Sequence, residues 1–278
     1  MKLDPLIYEP ILRRALDEDL GEAGDLTTSA IIPADVTSSA RLVSRQPGTI
    51  AGLEVAGRVF SLVDPRIEFR PELADGDTVE AGSVLATVAG PAAGILTAER
   101  TALNFLGHLS GIATATAAIV ASVRPHRARV ADTRKTTPGL RALEKYAVRA
   151  GGGVNHRFGL DDAVLVKDNH VAVAGSVAEA VARVRRSVGH LVKVEVEVDT
   201  LDQLHEALSE GVDAVLLDNM SLDDLRAAVA LVDGRALTEA SGGITPETAP
   251  LIAATGVDVL SAGYLTHSAS SLDVGLDF

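Results

Sequence analysis

From Ala163 to Gly263 one pattern repeats, and it limits the fold more than any other feature of the chain. An apolar, β-branched run ends in polar residues, and a stretch with its own helix-start signal follows. Ala163-Val164-Leu165-Val166 leads into Lys167-Asp168-Asn169-His170, and Val192 to Val198, carrying Glu195 and Glu197, ends at Asp199. Ala214 to Leu217 ends at Asp218-Asn219, Arg235 to Thr238 at Glu239-Ala240-Ser241-Gly242-Gly243, and Val257 to Leu260 at Ser261-Ala262-Gly263. Between the runs, Ser176 with Glu179 and Thr200 with Gln203 have capping-box spacing. Ser221 is placed to cap a helix through Val232, and Thr245-Pro246 sets a capping residue before a first-turn proline. Gly211 and Gly256 fall where helices end in left-handed backbone. Alternating strands and capped helices predict a parallel sheet with right-handed crossovers. Arg129-Val130-Ala131 brings the strands to six. A closed (β/α)8 barrel needs eight, so the expected fold is α/β with an open, incomplete parallel barrel; a doubly wound sheet is the alternative.

The first half reads differently. Pro5 to Asp17 has the spacing of an amphipathic helix with Leu6, Ile7, Ile11, Leu12 and Leu16 on one side. Strand-like pieces follow at Ala40 to Ser44 and Arg66 to Phe69, a helix at Leu53 to Leu62, and a turn-and-strand unit from Asp75 to Val88. A long helical stretch from Thr97 to Val123 joins the halves. Residues 1 to 110 read as a separate α+β domain and residues 111 to 267 as the barrel.

Composition narrows the function. A net charge of -13 excludes a broad basic face for nucleic acid or anionic membranes. With no cysteine there is no disulfide, thiolate nucleophile or Cys-ligated metal. Met1 to Pro5 lacks a signal-peptide core, and the apolar run at Ile112 to Ala121 is too short to span a bilayer. The expectation is a soluble, cytoplasmic protein.

Against this acidic background, Arg124 to His170 holds ten Lys or Arg and five Asp or Glu. Such a cationic island, rich in turn glycines, suits a small polyanion. Asp132-Thr133-Arg134-Lys135 follows one strand and Lys167 another, so both fall on the face where barrel sites assemble. Glu197, Asp218, Ser241 and Ser261 share that face. Arg134 and Arg157 offer planar forks for carboxylates or phosphates, and Lys135 and Lys167 offer point charges. His156, between Asn155 and Arg157 after three glycines, is a candidate anion donor. Ser241-Gly242-Gly243, before a helix expected near Pro246, and Ser261-Ala262-Gly263 can present backbone N–H groups to a phosphate. Glu197 and Asp218 suit ribose hydroxyls or Mg2+, in part through water. Glu195 shares side-chain parity with Glu197, so spacing does not choose between them. Asp75 to Gly82 imitates a lipoyl or biotinyl turn, but there is no lysine between Lys2 and Lys135, so the segment is structural.

These residues, with Glu18-Asp19-Leu20-Gly21, Asp25-Leu26-Thr27-Thr28 and Glu99-Arg100-Thr101-Ala102-Leu103-Asn104, resemble the quinolinate phosphoribosyltransferase family over nearly the full length. The resemblance implies an N-terminal α/β sandwich to which a tail, residues 268–278, returns, and an open type II phosphoribosyltransferase barrel. It implies decarboxylating transfer from phosphoribosyl pyrophosphate (PRPP) to quinolinate, in NAD biosynthesis. It further implies Mg2+ as cofactor and a homodimer in which Arg100 reaches the neighbour's site. Arg100, Arg134, His156 and Arg157 would hold the carboxylates, and Lys135 and Lys167 the pyrophosphate. Glu197 and Asp218 would hold ribose and metal, and the two serine–glycine loops (Ser241, Gly242, Gly243; Ser261, Ala262, Gly263) the 5'-phosphate. A molybdenum-transport-associated paralogue shares the fold. Two readings from other classes are a Schiff-base aldolase using Lys167 and a non-catalytic anion-binding protein.

Overall fold

A computed structural model describes residues 3–278; Met1 and Lys2, within the reading of the N-terminus, lie outside the described residues. In chain order the elements are α1 (Pro5–Leu20), α2 (Leu26–Ile31), β1 (Thr37–Ser44), β2 (Gly48–Thr49), α3 (Leu53–Val63), β3 (Glu68–Pro71), β4 (Thr78–Val79), β5 (Val84–Pro91) and α4 (Ala92–Val123). There follow β6 (Arg129–Ala131), α5 (Arg141–Ala150), β7 (Val164–Val166), α6 (Asp168–Ala174), α7 (Val177–Ser187), β8 (Val194–Val198) and α8 (Leu201–Ser209). The chain closes with β9 (Ala214–Asp218), α9 (Leu222–Val232), β10 (Leu237–Ser241), α10 (Ala249–Ala253), β11 (Val259–Ser261), α11 (Tyr264–His267) and β12 (Val274–Asp277). Two compact units result: 1–117 with 136–152 and 266–278, and 118–135 with 153–265.

The first unit is built on an antiparallel sheet of order β12-β1-β5-β3. β12 pairs with β1 through Arg41↔Asp277 to Ser44↔Val274, so residues from the far end of the chain form an edge of its first sheet. The tail reaches that edge along α4, where the Leu272 amide donates to the Gly107 carbonyl (2.9 Å). A Cβ at Gly111 would stand 2.1 Å from the Ser270 carbonyl oxygen; only glycine lets the tail pass this close. α3 buries Leu53, Val55, Ala56, Val59 and Phe60, and Phe60 stacks on Phe69 with ring centroids 6.0 Å apart. The imitation lipoyl turn is structural: Asp75 accepts from the Gly52 and Leu53 amides at the start of α3 and from the Tyr146 hydroxyl at 2.5 Å.

Two expectations are corrected in this unit. α1 buries Tyr8, Leu12 and Leu16, an i, i+4, i+8 stripe that leaves Leu6 and Ile7 exposed. The compact units interleave along the chain: α5, which buries Leu143, Ala147 and Val148, falls within the first one. α4 runs 32 residues and is long and apolar enough to cross a membrane by composition, but 56% of its most apolar window is buried in the protein. Buried Leu, Ile and Ala along it mark a core helix, with Ser110 and Thr116 returning their hydroxyls to backbone carbonyls.

The second unit is a six-stranded parallel sheet of order β6-β11-β10-β9-β8-β7. β6 and β7 form its edges, and no β6–β7 pairing closes the sheet among the described residues, as expected of an open barrel. Its strands are nearly continuous apolar runs, as strands covered on both faces require: Val194, Val196, Val198, Val215, Leu216 and Leu217 are all buried. The crossover helices start where expected. Ser176, Thr200 and Ser221 accept from the amides three residues on, and Thr200 with Gln203 completes the reciprocal box. α10 departs from expectation by beginning at Ala249 rather than Pro246. The Thr248 hydroxyl turns back to the Gly243 carbonyl (2.8 Å) and accepts from the Thr245 amide (2.8 Å), which holds residues 243–248 in a turn. Because every strand runs the same way, all six C-terminal ends open on one face.

Candidate active site

That face holds a cleft of about 370 Å³ lined by Thr133, Arg134, Lys135, His156, Arg157, Lys167, Glu197, Asp218, Glu239, Ser241 and Ser261, with Leu165 and Leu216. Each strand end delivers one part. The loop after β6 supplies Thr133, Arg134 and Lys135, and Thr133 Oγ1 accepts from the Lys135 amide (3.0 Å). Beyond β7, the His170 ring accepts from the Lys167 amide (2.9 Å), which fixes the lysine's backbone. β9 to β11 bring Asp218, Ser241 and Ser261 into register, and Glu197 on β8 pairs opposite Leu216, two residues before Asp218. Ser241 pairs with both Asp218 and Ser261. A larger cavity of about 1120 Å³ lies in the first unit. Its charged groups satisfy one another, as in Arg58 with Glu9 and Tyr146 with Asp75, and it gathers no comparable cationic set.

The cations of the cleft are crowded. Burial first, and then the positive charge of Arg134, push the Arg157 guanidinium below its ordinary range. Arg157 spends one Nη1–H on the Ala163 carbonyl (3.1 Å), and its buried Nε–H has no hydrogen-bond partner. Two adjacent guanidiniums with a buried unused donor form a site whose electrostatics call for an anion, and planar forks favour a carboxylate.

The acids divide into two levels. Glu197 lines the cleft and pairs with Lys167 Nζ at 2.5 Å. Asp218 accepts from Asn219 Nδ2 (2.7 Å). Glu195, one pleat earlier on the same side of β8, sits lower, 3.1 Å from His156 Nε2. The structure therefore separates the two glutamates that parity left equivalent. Lys167, expected to face substrate anions, is paired here with Glu197.

Sequence reasoning gave no role to the lower level. Asp132 and Glu239 are buried. Asp132 accepts from the His156 amide (2.9 Å) and from Asn155 Nδ2 (2.5 Å). It thereby fixes the segment that carries His156 and Arg157. His156, Glu195 and Glu239 bring one ligand atom each within 4.8 Å of one another. Burial first, and next the charge of Glu195, push the Glu239 carboxyl up to about 7. A signal for this level existed in the polar residues inside apolar runs, Glu195 and Glu239, but their depth is a tertiary property.

This yields a pH prediction. Glu239 is a carboxyl whose folded pKa lies above its ordinary 4.5, so between those values the folded state holds more protons than the unfolded chain. Stability is then full below the lower value and falls as pH rises through the window toward 7. Thermal melts across that range should show the decline, and Glu239→Gln should flatten it. An unchanged slope in the variant would assign the effect to another group.

The two serine–glycine loops differ. Gly242 and Gly243 have φ of +96° and +62°, and a Cβ at Gly242 would fall 2.0 Å from Asn219 Oδ1. Glycine is thus required where this loop packs on the Asp218-Asn219 turn, whose Asn219 amide donates to the Ser241 carbonyl (3.0 Å). The Ser261–Gly263 loop is more committed. The Ala262 amide donates to the Ala131 carbonyl (2.9 Å), and Ser261 lies beside the Glu239 carboxyl, favouring its charged form. Neither loop precedes a long helix: α10 has five residues and α11 four. The helix-dipole contribution expected for a phosphate therefore drops out, leaving local N–H groups. Arg100 is exposed on α4 in the first unit.

Comparison with known proteins agrees with this architecture. Residues 25–110 match the model of the quinolinate phosphoribosyl transferase N-terminal domain, and residues 112–277 that of the C-terminal domain. The chain is 50% identical to the nicotinate-nucleotide pyrophosphorylase [carboxylating] of Mycobacterium leprae, over 96% of this chain and 95% of the relative. It is 44% identical to the probable enzyme of that name from Bacillus subtilis, over 99% and 94%. The crystal structure of NadC from Streptococcus pyogenes superposes with a TM-score of 0.97 at 44% identity, covering 100% of this chain and 98% of that one. With both domain models matched in order and relatives of this identity aligned end to end, the chain belongs to the quinolinate phosphoribosyltransferase family.

Proposed function

We propose that the cleft transfers the phosphoribosyl group of PRPP to the ring nitrogen of quinolinate, releasing pyrophosphate and carbon dioxide and leaving nicotinate mononucleotide for NAD biosynthesis. The observation that carries this reading is the crowded Arg134–Arg157 pair beside Lys135, Lys167, Glu197 and Asp218 in one cleft. Two guanidiniums fit a dicarboxylate, lysines fit a pyrophosphate, and acids fit ribose hydroxyls. The pyridine nitrogen attacks C1 of the ribose as the C1–O bond to pyrophosphate breaks. Positive charge gathers on the ribose ring, over Glu197 and Asp218, and negative charge on the leaving group, beside Lys135 and Lys167. Once the ring nitrogen is quaternary, the neighbouring carboxylate departs as carbon dioxide, and the ring carbanion, stabilised by that positive charge, takes up a proton. No covalent enzyme intermediate is required; positioning and preorganised charge supply the acceleration.

Glu197 and Asp218 present hard carboxylate oxygens on neighbouring strands, a donor set that fits Mg2+ shared with substrate phosphates and water. The ion would neutralise charge on the pyrophosphate. Thr133 borders the carboxylate end, and Ser241, Gly242 and Gly243 are assigned the 5'-phosphate. Ser261 and Gly263 are assigned the same phosphate, with the Ala262 amide already engaged by the Ala131 carbonyl.

The direct test is incubation with PRPP, Mg2+ and quinolinate, then with nicotinate in its place. Carbon dioxide and pyrophosphate should appear only with quinolinate. Pyrophosphate release with nicotinate would overturn the decarboxylating assignment, and tight binding without release would favour the anion-binding reading.

We assign the protein a cytoplasmic homodimer in which Arg100 completes the partner's site. Its exposure on α4 supports this. Arg100→Ala and Arg134→Ala homodimers should each be nearly inactive. Subunit exchange between them should restore about a quarter of wild-type activity, because half the dimers gain one intact site. Failure to recover activity in a mixture shown to exchange would refute the shared site.

A further inference from the structure

We infer that Glu239, acting with Glu195 through His156, is a positioning residue for Arg157. The ring nitrogens of His156 are both turned to the protein. Nδ1 accepts from the Arg157 amide at 2.7 Å, so the proton of the neutral ring sits on Nε2. Nε2 lies 3.1 Å from Glu195 Oε2 and 3.5 Å from Glu239 Oε1; the latter oxygen is buried and receives no hydrogen bond, so Glu239 acts on Nε2–H by proximity and not as its acceptor. Together the two acids favour the ring with Nε2–H down and Nδ1 toward the Arg157 amide. Moving its proton to Nδ1 would oppose two N–H groups, and turning the ring over would put Cδ2–H where Nδ1 now accepts; either change releases that amide.

Arg157 depends on this arrangement. Its guanidinium is anchored within the chain at the Ala163 carbonyl, and its buried Nε–H has no partner. The backbone that aims it is fixed at His156 by Asp132 and at its own amide by the imidazole. The same tautomer argues against a cation among His156, Glu195 and Glu239. An ion on Nε2 would have to displace the proton that the Nδ1 contact places there. The elevated Glu239 carboxyl agrees with a protonated acid, which is uncharged and shaped like an amide.

The inference deepens the reading of Arg157 as a carboxylate-binding residue and rests on it. Three variants separate the two. Glu239→Leu should raise KM for quinolinate about tenfold while leaving KM for PRPP and kcat within about twofold. Glu239→Gln should stay within about threefold of wild type in all three, since an amide keeps the volume and a polar oxygen beside Nε2–H. Arg157→Ala measured beside them tests the underlying reading: if it leaves KM for quinolinate unchanged, that reading fails, whatever Glu239 does. With Arg157→Ala impaired as expected, equal rises in both KM values for Glu239→Leu, or a Glu239→Gln as damaged as Glu239→Leu, would overturn the positioning role. Should Glu239→Leu fail to fold, Glu239→Ala carries the same readings. Stoichiometric transition metal in the purified protein, lost in Glu239→Gln, would also overturn it in favour of a metal site.

Discussion

Replacing Arg134 by Ala should abolish most quinolinate turnover, a loss in kcat/KM of about 100-fold or more, while the protein stays folded. The size follows from the proposed role of Arg134 as a planar, charge-assisted contact to a carboxylate, worth a few kcal/mol. The stability forecast follows from the same geometry. Arg134 lowers the pKa of the neighbouring Arg157, so the two cations are held together against their repulsion. Removing one relieves that repulsion, and the melting temperature should hold or rise, as happens where function maintains an unfavourable arrangement. Arg134→Lys should fall between wild type and Ala, because it restores the charge but not the fork. Steady-state kinetics with a thermal melt of each variant decide the matter; near-normal turnover in Arg134→Ala would remove Arg134 from the carboxylate site.

A second large effect is expected far from the cleft. In an unobstructed helix, Gly→Ala gains about 1 kcal/mol. At Gly111 the added Cβ would stand 2.1 Å from the Ser270 carbonyl oxygen, a backbone atom with no rotamer to yield. Overpacking of this kind costs about 1–3 kcal/mol, and here it also threatens the Leu272–Gly107 contact and the β12 edge. Gly111→Ala should therefore lose about 2 kcal/mol net and expose the tail beyond Ser268 to proteases. Gly189→Ala, with nothing within 4 Å of its Cβ, is the control. Equal urea midpoints and equal cleavage would show that the tail adapts.

What the sequence made legible was whatever depends on period and punctuation. Six strands, the caps at Ser176, Thr200 and Ser221, and the polar residues at strand ends all follow from alternation between apolar runs and capped helices. α5 and α6 were not announced: α5 has Leu140 at its N-cap, and α6 follows β7 with only Lys167 between. Glu195 and Glu197 could not be separated, because a period of two gives the face of a sheet but not the depth beneath a ligand. Glu239 stayed without a role for the same reason; its neighbours Glu195 and His156 come from other elements. The return of the tail to β1 came from family resemblance rather than from Val274 to Asp277 themselves.

The place of β12 has a consequence for biosynthesis. Ribosomes deliver a chain from its N-terminus, yet the outer edge of β1 waits for residues 274–277, more than two hundred positions later. Until they emerge, β1 exposes unpaired N–H and C=O groups, a template for pairing with another nascent chain. The sheet unit is therefore begun before the six parallel strands and finished only after them. Chaperone demand should persist until residues 274–277 have emerged.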